Sequence, residues 1–137
     1  MEFDSRLGRK ALRRLKREQV LWLTSVDDRG RPQPRPVWFH WNGEDVLIFS
    51  QPKGAKVRQI AARPDVALHF NSDTAANDVV VFLGEAHALP ESVAPDRVKP
   101  YLRKYRSGIV DLKMTPASFQ SEYSVPILVR LTALRGF

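Results

Sequence analysis

Ser50-Gln51-Pro52-Lys53-Gly54-Ala55-Lys56 is the segment of this chain whose residue types and order suggest binding chemistry. Asp45 to Ser50 is rich in strand formers, and a short helical pattern follows Lys56, so the segment leads a strand into a helix. The first N–H groups of a helix have no intrahelical partners, and the macrodipole adds partial positive charge there, which offers an anion a seat. Lys53 and Lys56 stand where acidic residues are usually favoured, and they repel the dipole unless something negative lies between them. A phosphate would serve. A solvated basic turn is the other reading, because no glycine fingerprint is complete.

Other reactive groups are sparse. His40, His69 and His87 lie singly on different predicted strands, without metal-ligand spacing, and read as packing or rim residues. The sequence holds no cysteine, which excludes disulfides, thiolate metal sites and a Cys nucleophile. No G-x-S-x-G elbow and no H-E-x-x-H is present. Asp27-Asp28 and Glu44-Asp45 fall in turns and read as turn chemistry. The residues name neither a catalytic group nor a metal ligand. An enzyme of this kind takes its reaction from a bound cofactor, and the protein supplies orientation and electrostatics.

The elements that must position the loop can be read in order. A helix from about Ser5 to Glu18 carries Leu7, Ala11, Leu12 and Leu15 on one face. Arg9, Lys10, Arg13, Arg14, Lys16 and Arg17 fill the rest as solvated charge. Val20 to Val26 is a strand, turned at Asp27-Asp28-Arg29-Gly30 into a second strand, Arg31 to Trp41. Its prolines at 32, 34 and 36 alternate and suit an edge strand. Arg35, Val37, Phe39 and Trp41 share one face, and Trp38 and His40 the other. Asn42-Gly43 turns the chain into Asp45 to Ser50.

The helix after Lys56 stops at Arg63-Pro64. Val66 to Phe70 and Val79 to Leu89 are strands. Ser92 to Tyr105 is a helix that Pro100 should split or kink, and Ser107-Gly108 is a break. Thr115 caps a short helix opened by Pro116 and running to about Tyr123. Val125 to Leu134 closes the chain, with Ile127, Val129, Leu131 and Ala133 on one face. Six strands without regular βαβ alternation predict a mainly β, α+β fold: a closed or partly closed barrel with small peripheral helices.

At 137 residues the chain is expected to be one domain, 1–137, burying about two-thirds of its unfolded surface. A net charge of +7 favours anionic partners. No apolar run reaches the ~20 residues of a membrane span, and the N-terminus lacks the apolar stretch of a secretory signal. With the absence of cysteine, the cytoplasm is the expected location.

Leu23-Thr24-Ser25-Val26, Gly30-Arg31-Pro32, Arg35-Pro36-Val37-Trp38-Phe39, Leu47-Ile48-Phe49-Ser50, Lys56-Val57-Arg58-Gln59-Ile60 and Arg63-Pro64-Asp65-Val66 follow one another at intervals that resemble the pyridoxamine-5′-phosphate-oxidase-like, FMN-binding split β-barrel family. Tyr101-Leu102-Arg103-Lys104-Tyr105-Arg106, Met114-Thr115-Pro116, Tyr123-Ser124-Val125-Pro126-Ile127 and Arg135-Gly136-Phe137 are similar to an actinobacterial-type branch that uses the deazaflavin coenzyme F420.

The resemblance implies a six-stranded split barrel and a homodimer with a cofactor in each of two interface clefts. Arg35 and Lys56 match the family's phosphate-contacting positions. Ser50 and Gln51 match the strand end lining the cofactor, and Val37 and Trp38 match the wall beside its ring. Lys53 and Val57 complete the expected cofactor-binding set. FMN-using oxidases of the family commonly carry Arg-Lys before this helix, where this chain has Ala55-Lys56.

The expected function is therefore an F420-dependent oxidoreductase, passing hydride to a small organic acceptor. An FMN-binding oxidase or flavin carrier on the same fold is the near alternative. The alternative of another class is a basic barrel gripping nucleic acid, which the charge suggests and the lack of an RNP-like motif opposes.

Overall fold

A computed structural model describes residues 1–89 and 95–137 and, at 95 and 96, the backbone without the side chains. The chain runs α1 (Arg6–Arg17), β1 (Leu21–Val26), β2 (Pro32–Val37), β3 (His40–Trp41), β4 (Asp45–Ser50), α2 (Ala55–Ala62), β5 (Asp65–His69), β6 (Val80–Ala88), α3 (Pro95–Lys104), α4 (Arg106–Asp111), α5 (Pro116–Glu122) and β7 (Val125–Gly136). One seven-stranded sheet has the order β2-β1-β5-β6-β7-β4-β3, with every pair antiparallel. The sheet curls into a partly closed barrel with the helices around it.

The sheet has seven strands rather than the expected six, because Arg31 to Trp41 is not one strand. β2 pairs only with β1, and β3 pairs only with β4, at the opposite end of the strand order. Trp38 and Phe39 cross between them outside any ladder. A flat seven-stranded sheet would set its edges roughly 29 Å apart at the usual strand spacing. Three residues, from Val37 to His40, reach only about 10 Å. The sheet therefore has to curl until its two edges nearly meet. Periodicity could not reveal this, since the inward faces of Val37, Phe39 and Trp41 continue through the crossing.

The crossing is held from outside the barrel. Phe39 N–H donates to Tyr105 Oη at 2.8 Å, and Phe39 C=O accepts from Lys104 Nζ at 2.8 Å. The Tyr105 hydroxyl proton faces two carbonyls, Gln19 at 2.7 Å and Phe39 at 2.9 Å. Lys104 Nζ also sits 3.7 Å from the centre of the Phe39 ring, where a cation–π attraction adds to the hydrogen bond.

Two apolar clusters result. The barrel interior joins Leu21, Leu23, Phe39, Ile48, Leu68, Phe82, Ile127 and Val129 with Ala11 and Leu15 of α1 and Ile60 of α2. The outer cluster packs Leu47 and Phe49 of β4 against Tyr101, Tyr105, Ile109 and Phe119 of the C-terminal helices. β4 is thus buried on both faces, which explains its unbroken apolar run Val46-Leu47-Ile48-Phe49.

Several local expectations hold. Gly30 has φ 77° in the β1–β2 turn, and β2 with its three prolines lies at a sheet edge. α1 starts at Arg6 as expected, and the structure adds Ser5 as its cap. Thr115 and Ser118 form a capping box on α5. Others do not hold. Arg14 is buried rather than solvated, its guanidinium bonded to Glu18 Oε1 (2.8 Å) and Asn71 O (2.7 Å) and lying over Phe70.

α3 continues through Pro100, and the helical break falls at Tyr105 instead of Ser107-Gly108, which lies within α4. The expected start at Ser92 lies outside the described residues. Between β6 and β7 the register shifts at Leu83/Gly84, leaving Thr132 as an extra residue. Leu134, not Ala133, consequently packs on the interior.

Tyr105→Phe is expected to lower stability by about 1–3 kcal/mol, since it leaves the buried Phe39 N–H without its acceptor. Chemical denaturation reads this as a lower midpoint at constant slope. Burial also depresses the Lys104 ammonium to a pKa of about 8 from 10.5. The folded protein then releases this proton near pH 8, while the unfolded chain keeps it to about pH 10.5, so the unfolded state binds more protons in between. Stability should rise with pH across that window, relative to Lys104→Met, in a denaturation series from pH 7 to 10.

Candidate functional site

The crossing, the end of β4, the start of α2 and the C-terminal helices enclose a cavity of about 200 Å3. Pro36, Val37 and Trp38 form one side and Phe49 comes from β4. Tyr101, Leu112, Phe119 and Tyr123 close the other side, and Lys56 is the charged residue that reaches in. Most of this lining is flat. The Trp38 indole lies on Tyr105, centroids 4.5 Å apart and planes at 4°. Phe119 follows at 5.7 Å from Trp38 and 4.7 Å from Tyr123. Such surfaces suit a planar ring, which gains dispersion and quadrupole contacts when stacked. A wider cleft of about 570 Å3, between α1 and the end of β7, lacks this character. Its Lys10 is already paired with Asp78 at 3.1 Å.

Lys56 occupies the first turn of α2, on a half-buried position. Burial first, and the positive charge of Arg35 second, pull its pKa below the ordinary lysine value. The two cations are therefore close enough to oppose one another, although they come from different elements. Burial lowers the Arg35 pKa as well, and the guanidinium stays charged.

Arg35 Nη2 is held by neutral acceptors alone: Gln59 Oε1 at 3.2 Å, Ser25 Oγ at 3.3 Å and the Gln33 carbonyl at 3.3 Å. Ser25 in turn donates to Gln59 Oε1 at 2.6 Å. Among the described residues, neither Arg35 nor Lys56 forms an ion pair. Two partly desolvated cations without a counter-ion raise the free energy of the empty site, and a bound anion relieves both. The start of α2 adds to this. Gly54 is its N-cap, no side chain caps it, and its first turn holds no acid.

Of the expected residues, the structure brings Val37, Trp38 and Lys56 together in the cavity lining and places Arg35 near enough to Lys56 to oppose its charge. Ser50 is buried at the end of β4, with Oγ 3.4 Å from the Gln51 carbonyl. Gln51 is exposed and donates to Glu122 Oε1 at 2.9 Å, tying the loop to α5. Lys53 is exposed on the loop, and Val57 packs on the barrel interior. Among the described residues no group of three or more His, Asp or Glu side chains is placed to hold a metal.

The sequence reading missed Ser25 and Gln59, which orient Arg35, and the wall of Tyr101, Phe119 and Tyr123. Ser25 continues the inward alternation of Leu21 and Leu23, and a polar residue at a core position was the available signal. Gln59 lies three residues after Lys56, on the same side of α2. Nothing local marks the aromatic wall, because its members are brought to Trp38 only by the folding of α3 to α5.

A family model described as pyridoxamine 5′-phosphate oxidase matches residues 7–126. A comparison with curated protein sequences finds no match. Among solved structures, an F420 reductase is 25% identical with a TM-score of 0.66, over 88% of this chain and 92% of that one. A heme storage protein of Vibrio cholerae (17% identity, TM-score 0.68, 96% and 95% covered) and an FAD-binding protein of Mesorhizobium loti (16%, 0.67, 93% and 89%) share the fold. The shared fold and the family match over most of its length place this chain in the pyridoxamine 5′-phosphate oxidase family.

Proposed function

We propose that the chain is an F420-dependent reductase that holds the deazaflavin in the cavity beside Trp38 and reduces an electron-poor organic acceptor there. The observation that carries this reading is Lys56, a half-buried cation in the lining of an aromatic cavity, opposed by the charge of Arg35 and, among the described residues, without a counter-ion. The F420 reductase of like fold supports it. So does the net charge of +7, which complements the acidic tail of the coenzyme. Ala55, where FMN oxidases carry a second cation, favours the deazaflavin over FMN.

When bound, reduced F420 supplies the hydride. Arg35, Lys56 and the uncapped start of α2 would hold its phosphate, with Lys53 as a further cation on the loop. Val37 and Trp38 would orient the ring, Ser50 and Gln51 shape the loop before α2 without lining the cavity, and Val57 packs α2 in place. Tyr101, Phe119 and Tyr123 exclude water from its face. Solvent serves as proton donor, since among the described residues no carboxyl group or imidazole lines the cavity.

A second copy of the chain completes the site. One chain encloses about 200 Å3, below the roughly 300–1,000 Å3 of a typical small-molecule site. Leu112, in the cavity lining, and Val110 on the same helix turn are 51% and 63% exposed and present apolar surface. We place the acceptor between this surface and the partner.

Absorbance and fluorescence titrations of the purified protein with F420 and with FMN test the reading. Saturable binding of F420 is expected. Uptake of FMN alone, or of neither, would overturn it. Lys56→Ala should weaken binding by about tenfold or more, the worth of a charge-assisted hydrogen bond.

The pH dependence has a defined sign. The free protein loses the Lys56 proton at a lower pH than an ordinary lysine, and a bound phosphate favours the charged form. Affinity should therefore fall as pH rises through that lowered value, before the ordinary lysine pKa of 10.5, with proton uptake on binding in this range. Lys56→Ala should lack this alkaline fall.

A further inference from the structure

We infer that Gly108 sets the position of the Trp38 indole, and with it the width of the cavity. Its consequence for ligand choice rests on the cofactor reading above; its packing basis does not.

Gly108 lies inside α4, where glycine is less favourable than alanine by roughly 1 kcal/mol. Its φ is not in the left-handed region, so the backbone does not demand glycine. Space does. A Cβ built on Gly108 would stand 2.8 Å from both Cη2 and Cζ2 of Trp38, well inside van der Waals contact. These atoms form the outer edge of the six-membered ring of the indole.

The indole has little freedom to give way. Its face is stacked on Tyr105 at 4.5 Å and 4°, and Tyr105 is fixed through its hydroxyl to Phe39 and Gln19. The backbone beyond Trp38 is the crossing itself, bound by Tyr105 and Lys104. A methyl group at 108 therefore drives the ring off its stack and moves a wall of the cavity. Trp38 is in this sense a rigid wall, and Gly108 acts on a ligand through it as a positioning and specificity-determining residue.

The test compares Gly108→Ala, Trp38→Phe and the double variant in the full chain. Phenylalanine lacks the outer indole atoms that meet the added methyl. Gly108→Ala should lower the unfolding midpoint despite the better helix former. It should also change the part of the near-ultraviolet circular dichroism that Trp38→Phe removes. Binding of whichever probe the wild type takes up, F420 or FMN, should weaken by about tenfold, in the range of an overpacked contact.

The double variant should be no less stable, and should bind no more weakly, than Trp38→Phe alone. A Gly108→Ala protein that fails to fold while the double variant folds also supports the inference. Independent, additive effects of the two substitutions would overturn it, as would unchanged near-ultraviolet dichroism or unchanged probe affinity in Gly108→Ala. If the wild type binds neither probe, the cofactor reading falls, and the coupling in stability and dichroism still decides the role of Gly108.

Discussion

The passage of the chain from β2 to β3 is the constraint from which the rest of this structure follows. Two residues outside any ladder, Trp38 and Phe39, join strands at opposite ends of the sheet order. Their shortness forces the curl of the sheet, and their lost ladder pairing leaves backbone groups to be satisfied elsewhere. Tyr105 and Lys104 do so. Because both lie where α3 ends and α4 begins, the same contacts that close the barrel also anchor the C-terminal helices against its outer face. The aromatic wall is therefore a by-product of closing the sheet. Trp38, displaced from any strand, turns its ring into the cavity that those helices enclose.

Charge is treated in two opposite ways in this protein. Arg14 is buried as deeply as a core residue, and Glu18, Asp78 and the Asn71 carbonyl surround its guanidinium. That charge is compensated and serves to dock α1. Arg35 and Lys56 receive only neutral partners or none, and each opposes the charge of the other. An arrangement that stabilised the fold alone would place a carboxylate among them. Among the described residues none is there, so the two cations belong to no structural ion pair. Ser25 and Gln59 hold the guanidinium in place without neutralising it, which keeps it available to a ligand.

How much of this could be read beforehand depends on the range of the cause. Capping by Thr115, the turn at Gly30, the edge position of the proline-bearing strand and the strand-to-helix loop before α2 all arise from a few neighbouring residues. Each was legible for that reason. The strand count, the burial of Arg14, the continuity of α3 through Pro100 and the register shift at Thr132 were not, because each depends on what packs against the segment. Periodicity sees the facing of side chains, and facing persists unchanged through the crossing at Trp38 and Phe39.

The sequence by itself determined the kinds of elements, their order and the presence of cationic and aromatic residues suited to a phosphate and a planar ring. These follow from local backbone preferences and side-chain chemistry, which act over one turn of helix or one strand. Only the tertiary structure decided that Arg35 comes near enough to Lys56 to oppose its charge, that Gln59 rather than a carboxylate steadies the guanidinium, and that Trp38 is wedged between Tyr105 and Gly108. Those are contacts between residues distant along the chain. They exist only once the sheet has curled and the last three helices have covered it, since no local preference carries information about a partner dozens of residues away.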